Sequence, residues 1–208
     1  RILSILTYYH PHWTGLTTIA RRITEGLAAR GHAMTVLTTR HDRALPEIEE
    51  VRGVRVVRLN PLLFVSRGAI VPVLPSRAWA LAADHDLVHL HTPFPESFVV
   101  AAICRRQRRP LLMTHYGDLV MPAGAFNRVI ERAVVASMTA AARTAGRVTT
   151  LSADYAAASA FLRPFAGKLD AIPPPVESPL PQMTEVAAWR RALGLSGRRQ
   201  DGPGEGVE

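Results

Sequence analysis

The stretch ILSILTYYHPHWTGLTTIARRITEGLAARGHAMTVLTT, residues 2–39, decides the fold. Its first seven residues form an apolar run that predicts a buried strand. Apolar residues then recur every four positions and predict an amphipathic helix over residues 16–30, with Gly31 as its left-handed end. A second strand-like run follows at residues 33–39. A strand, a helix and a strand in this order indicate one unit of a parallel sheet.

The same alternation continues along the chain. We predict further strands at residues 54–59, 86–92, 110–118, 147–152 and 168–173, and helices at residues 77–83, 96–106, 127–145 and 153–162. The stretch between residues 61 and 75 is predicted to be irregular. The whole order predicts a doubly wound, mostly parallel α/β sheet with Rossmann-like α/β/α layers.

The domain organisation follows from composition. Residues 1–175 are predicted to form the Rossmann-like domain. Residues 176–195 are predicted to hold the rest of a proline-rich linker, which begins at residue 173, and a short helix. The polar, glycine-rich residues 196–208 are predicted to be disordered. Because the linker and helix come so late in the chain, we expect a further domain to follow them.

Composition and charge narrow the function classes. Apolar residues make up 48% of the chain, and the formal net charge is +8, carried almost entirely by arginine. This excess makes phosphates, an acidic membrane surface or another polyanion plausible partners. The single cysteine, Cys104, rules out an intrachain disulfide and fits a cytoplasmic setting. No apolar run reaches the about 18 residues that a membrane span needs.

Candidate ligand residues follow the predicted strands, because ligands of such sheets bind beyond the carboxyl ends of the strands. They are His10, His12, Thr14 and Gly15 after the first strand, His89, His91 and Thr92 at the fourth, and His115, Tyr116 and Asp118 at the fifth. Three histidine-bearing loops at one edge are more than core packing requires.

Gly15 opens the first predicted helix. Free N–H groups and the positive helix end there can hold an anion, typically a phosphate. The dinucleotide fingerprint G-x-G-x-x-G is absent, since this loop has one glycine. A simple turn, with Leu16 packing beneath the loop, is the alternative interpretation.

The histidines allow more than one interpretation. His89 and His91 share one face of their strand, but no carboxylate at ligand spacing accompanies them, and no metal site is predicted. His89 is interpreted as a core residue, and His91 as the better site candidate. His115 could donate to a sugar hydroxyl or to developing negative charge, or bond a loop carbonyl instead. Asp118 could act as a base, accept from a sugar hydroxyl, or cap the next turn.

Five motifs in order carry a resemblance. They are ILTYYHPHWTGLTT, ITEGLAARGHAMTVLTT, DLVHLHTPFP, THYGD and SADYAAASAFLRPFAGKLDAIPPPVE. Together they resemble the N-terminal domain of family-4 retaining glycosyltransferases with the GT-B fold. Gly15 falls in the family's glycine loop, which approaches the donor diphosphate, although many relatives carry two adjacent glycines where this chain has Gly15 and Leu16. His115 falls on the histidine that lies beside the transferred sugar.

The resemblance implies transfer of a sugar from a nucleotide diphosphate sugar to an acceptor hydroxyl, with retention and without metal or cofactor. It implies a catalytic role for His115 and Asp118, donor binding by Thr14, Gly15 and Leu16, and acceptor binding by His12, His91, Thr92 and Tyr116. The resemblance implies that the acceptor is a carbohydrate or a lipid-linked molecule. It also implies that the protein lies in the cytoplasm or at the inner face of the membrane. The family's C-terminal domain supplies most donor contacts, so the isolated chain is expected to be inactive. No nucleic acid is expected as a partner.

Two other function classes stay open. A non-catalytic module that binds an anionic membrane or polyanion is favoured by the basic charge and by the apolar, arginine-bearing residues 62–75. A NAD-linked Rossmann enzyme is disfavoured by the missing glycine fingerprint.

Overall fold

The computed structural model describes residues 1–65, 68–176 and 183–194. Its strands are β1 (Ile2–Ile5), β2 (Met34–Thr39), β3 (Ile48–Val51), β4 (Val54–Leu59), β5 (Leu63–Val65), β6 (Gly68–Ile70), β7 (Leu87–Thr92), β8 (Leu111–His115), β9 (Arg147–Thr150) and β10 (Leu169–Ala171). Its helices are α1 (Gly15–Ala28), α2 (Leu74–Ala83), α3 (Ser97–Gln107), α4 (Ala125–Thr144), α5 (Ala153–Ala158) and α6 (Met183–Ala192), with a 3₁₀ helix at Arg163–Lys168.

The main sheet has the strand order β10-β9-β8-β7-β1-β2-β4-β3. All neighbours in it are parallel except β3 and β4, which form an antiparallel pair. Strands β5 and β6 make a separate two-stranded hairpin. The predicted doubly wound, mostly parallel α/β architecture is confirmed. The carboxyl ends of β1, β7 and β8 meet at one edge, which brings the loops after them together.

Several local predictions are wrong. No strand was predicted at Ile48–Val51, yet it pairs with β4 through a two-residue turn at Arg52 and Gly53, both with positive φ as such hairpins require. The stretch predicted to be irregular holds β5, β6 and the start of α2. Helix α2 can begin there because a proline is tolerated in the first turn of a helix.

Two further boundaries differ. The first strand ends at Ile5, earlier than predicted, and the helix predicted at residues 153–162 stops at Ala158 and gives way to the 3₁₀ helix. The predicted disordered tail and most of the predicted linker lie outside the described residues.

Alternating strand residues face two different layers. On one face, strand residues such as Leu3, Leu90 and Met113 pack with α2, α3 and α4 in one apolar cluster. On the other face, α1 packs over β1, β2 and β4. There, β7 and β8 place histidine and threonine side chains instead of apolar ones, and these lie beneath the candidate site.

The residues Arg1–Pro175 form one compact unit, and the chain beyond them is a second one. In the second unit the structure describes Val176 and residues 183–194, which hold α6. None of the helices in the described ranges combines the length and apolar composition that crossing a membrane requires.

Candidate functional site

Thr14 begins helix α1 as its N-cap. Its Oγ1 accepts from the Thr17 N–H at 3.1 Å, and its own N–H donates to Thr17 Oγ1 at 2.8 Å. Thr17 Oγ1 in turn donates to the His12 carbonyl at 2.6 Å. This reciprocal capping fixes the direction in which the loop enters the helix.

Gly15 is the first residue of α1 and is exposed. A Cβ added to it would meet no atom within 4 Å, and its φ is not in the left-handed region. Neither backbone conformation nor packing within the described chain therefore requires a glycine here. Leu16 is half-buried and packs against the apolar cluster under α1, as the alternative interpretation expected. The donor-binding roles of Thr14, Gly15 and Leu16 stay predictions.

A buried arginine anchors the same loop. Arg58, at the end of β4, donates from Nη2 to the His10 carbonyl at 2.9 Å and pairs with Glu49. A buried charge is tolerated when it is paired and hydrogen-bonded in this way. Arg58 was not among the predicted site residues. The available signal was the second arginine of VRVVRL, which breaks the alternation that places Arg55 at an exposed position.

His12 lies in a cluster of three rings at the ends of β1 and β2. Its ring centroid is 4.6 Å from that of Tyr8 and 5.0 Å from that of His41. Burial, the neighbouring His12 and Arg58 lower the pKa of His41. His41 was not among the predicted site residues. Partly exposed rings of this kind are common contacts for bound ligands.

His91 and Thr92 lie below the surface, where both are fully buried. His91 Nε2 lies 2.7 Å from Ser4 Oγ, and its Nδ1 lies 2.8 Å from the Tyr116 hydroxyl. In this conformation neither His91 nor Thr92 can contact an acceptor directly, so that role stays a prediction. The structure instead places both beneath Tyr116 and the loop after β8.

The His89 and His91 rings are in contact in a tilted arrangement, with their centroids 4.0 Å apart. Burial lowers the pKa of His89 to about 4 and that of His91 well below its ordinary value. Both imidazoles are therefore neutral near pH 7. His89 Nε2 lies 2.7 Å from Thr114 Oγ1, which agrees with its interpretation as a satisfied core residue.

His115 is fully buried at the end of β8, where a rim position was expected. Its Nδ1 lies 3.0 Å from Thr92 Oγ1, and its Nε2 lies 3.1 Å from Asp118 Oδ1. The ring of Phe161 packs on it at 4.5 Å. Burial lowers the pKa of His115, against the opposing effect of Asp118. A ring with both nitrogens engaged supports its neighbours and contacts a ligand only after a movement.

Asp118 is the exposed member of this group. Its Oδ1 accepts from His115 Nε2, from the Tyr155 hydroxyl at 3.0 Å and from Ser159 Oγ at 2.9 Å. Partial burial opposes ionisation, but these hydrogen bonds outweigh it and lower the pKa of Asp118. Within the described ranges no donor bonds Oδ2. Asp118 thus presents an ionised, oriented carboxylate oxygen that can accept from a ligand hydroxyl.

A cavity of about 480 Å³ lies elsewhere, and Phe161 and Phe165 are among its lining residues, with Val135 and Thr139 of α4. None of the predicted site residues lines it. Within the described residues, no three histidine, cysteine or acidic side chains come together as in a metal site.

The glycosyl transferase 4-like domain family matches residues 14–175, from the N-cap of α1 to the end of the first unit. The chain belongs to this family. The resemblance found in the sequence is therefore confirmed, and this glycosyl transferase 4-like domain is a transferase domain that acts between a sugar donor and an acceptor.

One solved structure supports the fold of this glycosyl transferase 4-like domain. A sucrose-phosphate synthase chain from Thermosynechococcus elongatus superposes with a TM-score of 0.53 and 17% identity, over 93% of this chain and 99% of that chain. A phenylacrylic acid decarboxylase from Aquifex aeolicus reaches a TM-score of 0.39 at 13% identity, over 76% of this chain and 84% of that chain. A TM-score this low does not indicate a shared fold. No curated protein sequence matches the chain.

Proposed function

We propose that this domain is the acceptor-side half of a GT-B enzyme that transfers a sugar from a nucleotide diphosphate sugar to an acceptor hydroxyl with retention. Family membership supports sugar transfer in general. Turnover requires a second, donor-binding domain, and no metal or cofactor takes part. The protein works in the cytoplasm, with a carbohydrate or lipid-linked acceptor.

The observation that carries the proposal is the position of Gly15, which has open space in front of it and is the first residue of the capped helix α1. The fold itself does not use the missing side chain, because a Cβ would meet nothing within 4 Å. A capped helix start with an exposed backbone suits close approach by a diphosphate, which the N–H groups and the helix dipole attract. Close approach of the diphosphate would thus explain a glycine that the fold itself does not require.

The acceptor side is the group around Asp118. Its three intramolecular donors all reach Oδ1, and the carboxylate is partly exposed. Asp118 accepts a hydrogen bond from an acceptor hydroxyl or the donor sugar, and His115 and Thr92 position it from below. The ring cluster of Tyr8, His12 and His41 offers a second contact surface at the same edge.

The proposal is tested by ligand-dependent stabilisation of the chain. UDP or GDP sugars at ten times their Kd for this half should raise Tm by about 3–6 °C, since a tenfold excess over Kd stabilises the folded chain by about 1.4 kcal/mol. Gly15→Ala should abolish most of this shift. Gly167→Ala is the matched control, because Gly167 also has open space around its Cα and is distant in sequence from the loop.

Two results would contradict the proposal. One is the absence of any shift with nucleotide sugars. The other is an equal shift with NAD, which would favour a dinucleotide enzyme. Binding of anionic vesicles without any effect of nucleotide sugars would favour the second candidate, a non-catalytic membrane module. The basic charge supports that candidate, but the family match does not.

A further inference from the structure

Helix α4 projects well beyond its neighbour α3. The Phe98 N–H, in the first turn of α3, donates to Ser137 Oγ of α4 at 3.0 Å, so these two points are level. Twelve residues of α4 precede Ser137, which at 1.5 Å per residue is a projection of about 18 Å. We call residues 119–136, which comprise this projection and the loop before it, the α4 tip.

The α4 tip has an apolar stripe that the fold buries only in part. The buried residues of α4 are Ser137, Met138, Ala141 and Ala142, all beyond the tip. Its apolar residues have the spacing that normally faces a core. Ile130 and Val134 are half-buried, and Val134 packs against the main apolar cluster, whereas Phe126, Val129 and Ala133 are exposed. Phe126 is 73% and Val129 64% exposed. An ordered helix with this pattern needs a partner for its apolar side.

The preceding loop is bound to the helix rather than free. The Met121 N–H donates to Glu131 Oε2 at 3.0 Å, and Asn127 Nδ2 donates to the Pro122 carbonyl at 3.0 Å. Val120 is 85% exposed within this fastened loop. The α4 tip therefore displays Val120 together with its helical stripe as one ordered unit.

The charge of the α4 tip favours an anionic partner. Arg128 and Arg132 are exposed and have no carboxylate within ion-pair distance among the described residues. Glu131, the only acidic residue of the tip, is engaged by the Met121 N–H. Exposed apolar residues beside unpaired arginines are typical of helices that lie in the interface of an anionic bilayer.

We propose that the α4 tip docks on an anionic lipid bilayer, with Val120, Phe126 and Val129 in the acyl boundary and Arg128 and Arg132 at lipid phosphates. A second copy of the chain fits less well, because a two-fold contact through this tip would bring its arginines together. Docking on the bilayer does not depend on the proposed function; only its consequence for sugar transfer does. Asp118 immediately precedes the tip, so the bilayer would present a lipid-borne acceptor hydroxyl to it.

Vesicle co-sedimentation of the full chain tests the docking. The chain should bind vesicles of 30% phosphatidylglycerol in phosphatidylcholine and not pure phosphatidylcholine, and high salt should weaken binding. Phe126→Ser with Val129→Ser should lower the partition coefficient tenfold or more. Arg128→Gln and Arg132→Gln should each lower it about fivefold, the effect of one basic residue near such a surface.

The β5–β6 hairpin supplies the matched control. Leu63 and Phe64 are exposed apolar residues of that hairpin, within the stretch that the sequence marked as a membrane candidate. Leu63→Ser with Phe64→Ser should leave vesicle binding within twofold of the parent. Loss of binding in this control, with retention in the Phe126 and Val129 variant, would overturn the proposal. So would failure of the parent chain to bind anionic vesicles.

A fluorescent label gives a second measurement that does not depend on the amount bound. Cys104 is buried, so a Phe126→Cys variant takes a thiol-reactive, environment-sensitive dye at one position. Emission should shift to the blue with anionic vesicles, whereas the same dye at Ile48→Cys, on edge strand β3, should not shift. Equal behaviour of the two labels would overturn the proposal. Neither measurement needs a nucleotide sugar. A negative result would therefore count against docking on the bilayer and not against the proposed function.

Discussion

His115 and Asp118 are joined by a 3.1 Å hydrogen bond between Nε2 and Oδ1. An ionised carboxylate only accepts, so Nε2 of the neutral imidazole carries the hydrogen. Nδ1 is then an acceptor 3.0 Å from the Thr92 hydroxyl, which shares its single hydrogen between Nδ1 and the Thr114 carbonyl at 3.2 Å. This arrangement directs the histidine's only N–H at the aspartate and away from solvent. His115 thus fixes the orientation of the Asp118 carboxylate, and under the proposed function any effect of His115 on a ligand would pass through Asp118.

His115→Ala is expected to destabilise the fold. The change removes a fully buried ring, its contact with Phe161 and two hydrogen bonds, which together amount to about 2–4 kcal/mol. The midpoint of denaturant unfolding measures this. His115→Gln should recover part of the loss, because its amide can still donate to Asp118. A His115→Ala variant as stable as the exposed His32→Ala control would show that the ring has no supporting role.

The protein should lose stability in mild acid. Burial keeps His89 and His91 neutral in the folded state and lowers the pKa of His89 to about 4. The unfolded chain binds protons at these residues near pH 6.5, so the free energy of unfolding falls as the pH drops below that value. Between pH 6.5 and 5 the two residues account for up to about 3 kcal/mol.

Unfolding curves at several pH values check this expectation. His89→Gln should flatten the acid dependence by about half while keeping a hydrogen bond to Thr114. His32→Gln, at an exposed position, should leave it unchanged. An identical pH profile for the parent and His89→Gln would count against this explanation.

Arg58→Met is expected to loosen the loop after β1. It removes the hydrogen bond to the His10 carbonyl and leaves Glu49, whose side chain is 29% exposed, without its partner. Because Glu49 can reach solvent, we expect the loss to be about 1.5–3 kcal/mol, the contribution of hydrogen bonds to a charged group. Hydrogen exchange of the loop amides and the unfolding free energy are the readouts. Arg55→Met, at an exposed position of the same strand, is the control. If both variants behave alike, Arg58 does not anchor the loop.

Gly15→Ala should separate stability from ligand binding. Alanine is the better helix former and meets no steric obstacle, so the unfolding free energy should stay equal or rise by about 0.5–1 kcal/mol. Affinity for nucleotide sugars should fall at the same time. Thermal unfolding with and without ligand measures both quantities on one sample. A destabilised variant would indicate that the fold itself needs this glycine.

The sheet was predictable because its strands are continuous apolar runs separated by periodic helices, as at residues 2–39. Strand β3 was not, because the four residues IEEV are half polar and are held only by pairing with β4. The residue type and position of the histidines marked them as candidates, but their burial could not be predicted from the sequence. Whether His115 lies at the surface or beneath it depends on Phe161, which is 46 residues away in sequence and packs on it only in the fold.

The polar side chains on the α1 face of the sheet also restrict how its strands can be aligned. His91 bonds Ser4 on β1, His89 bonds Thr114 on β8, and Thr114 lies 2.7 Å from Thr149 on β9. A strand that slipped by one residue would turn these side chains to the opposite face and leave imidazoles unpaired among apolar atoms. Apolar contacts alone would discriminate less sharply between alignments. These hydrogen bonds therefore specify the register of four parallel strands, β1, β7, β8 and β9.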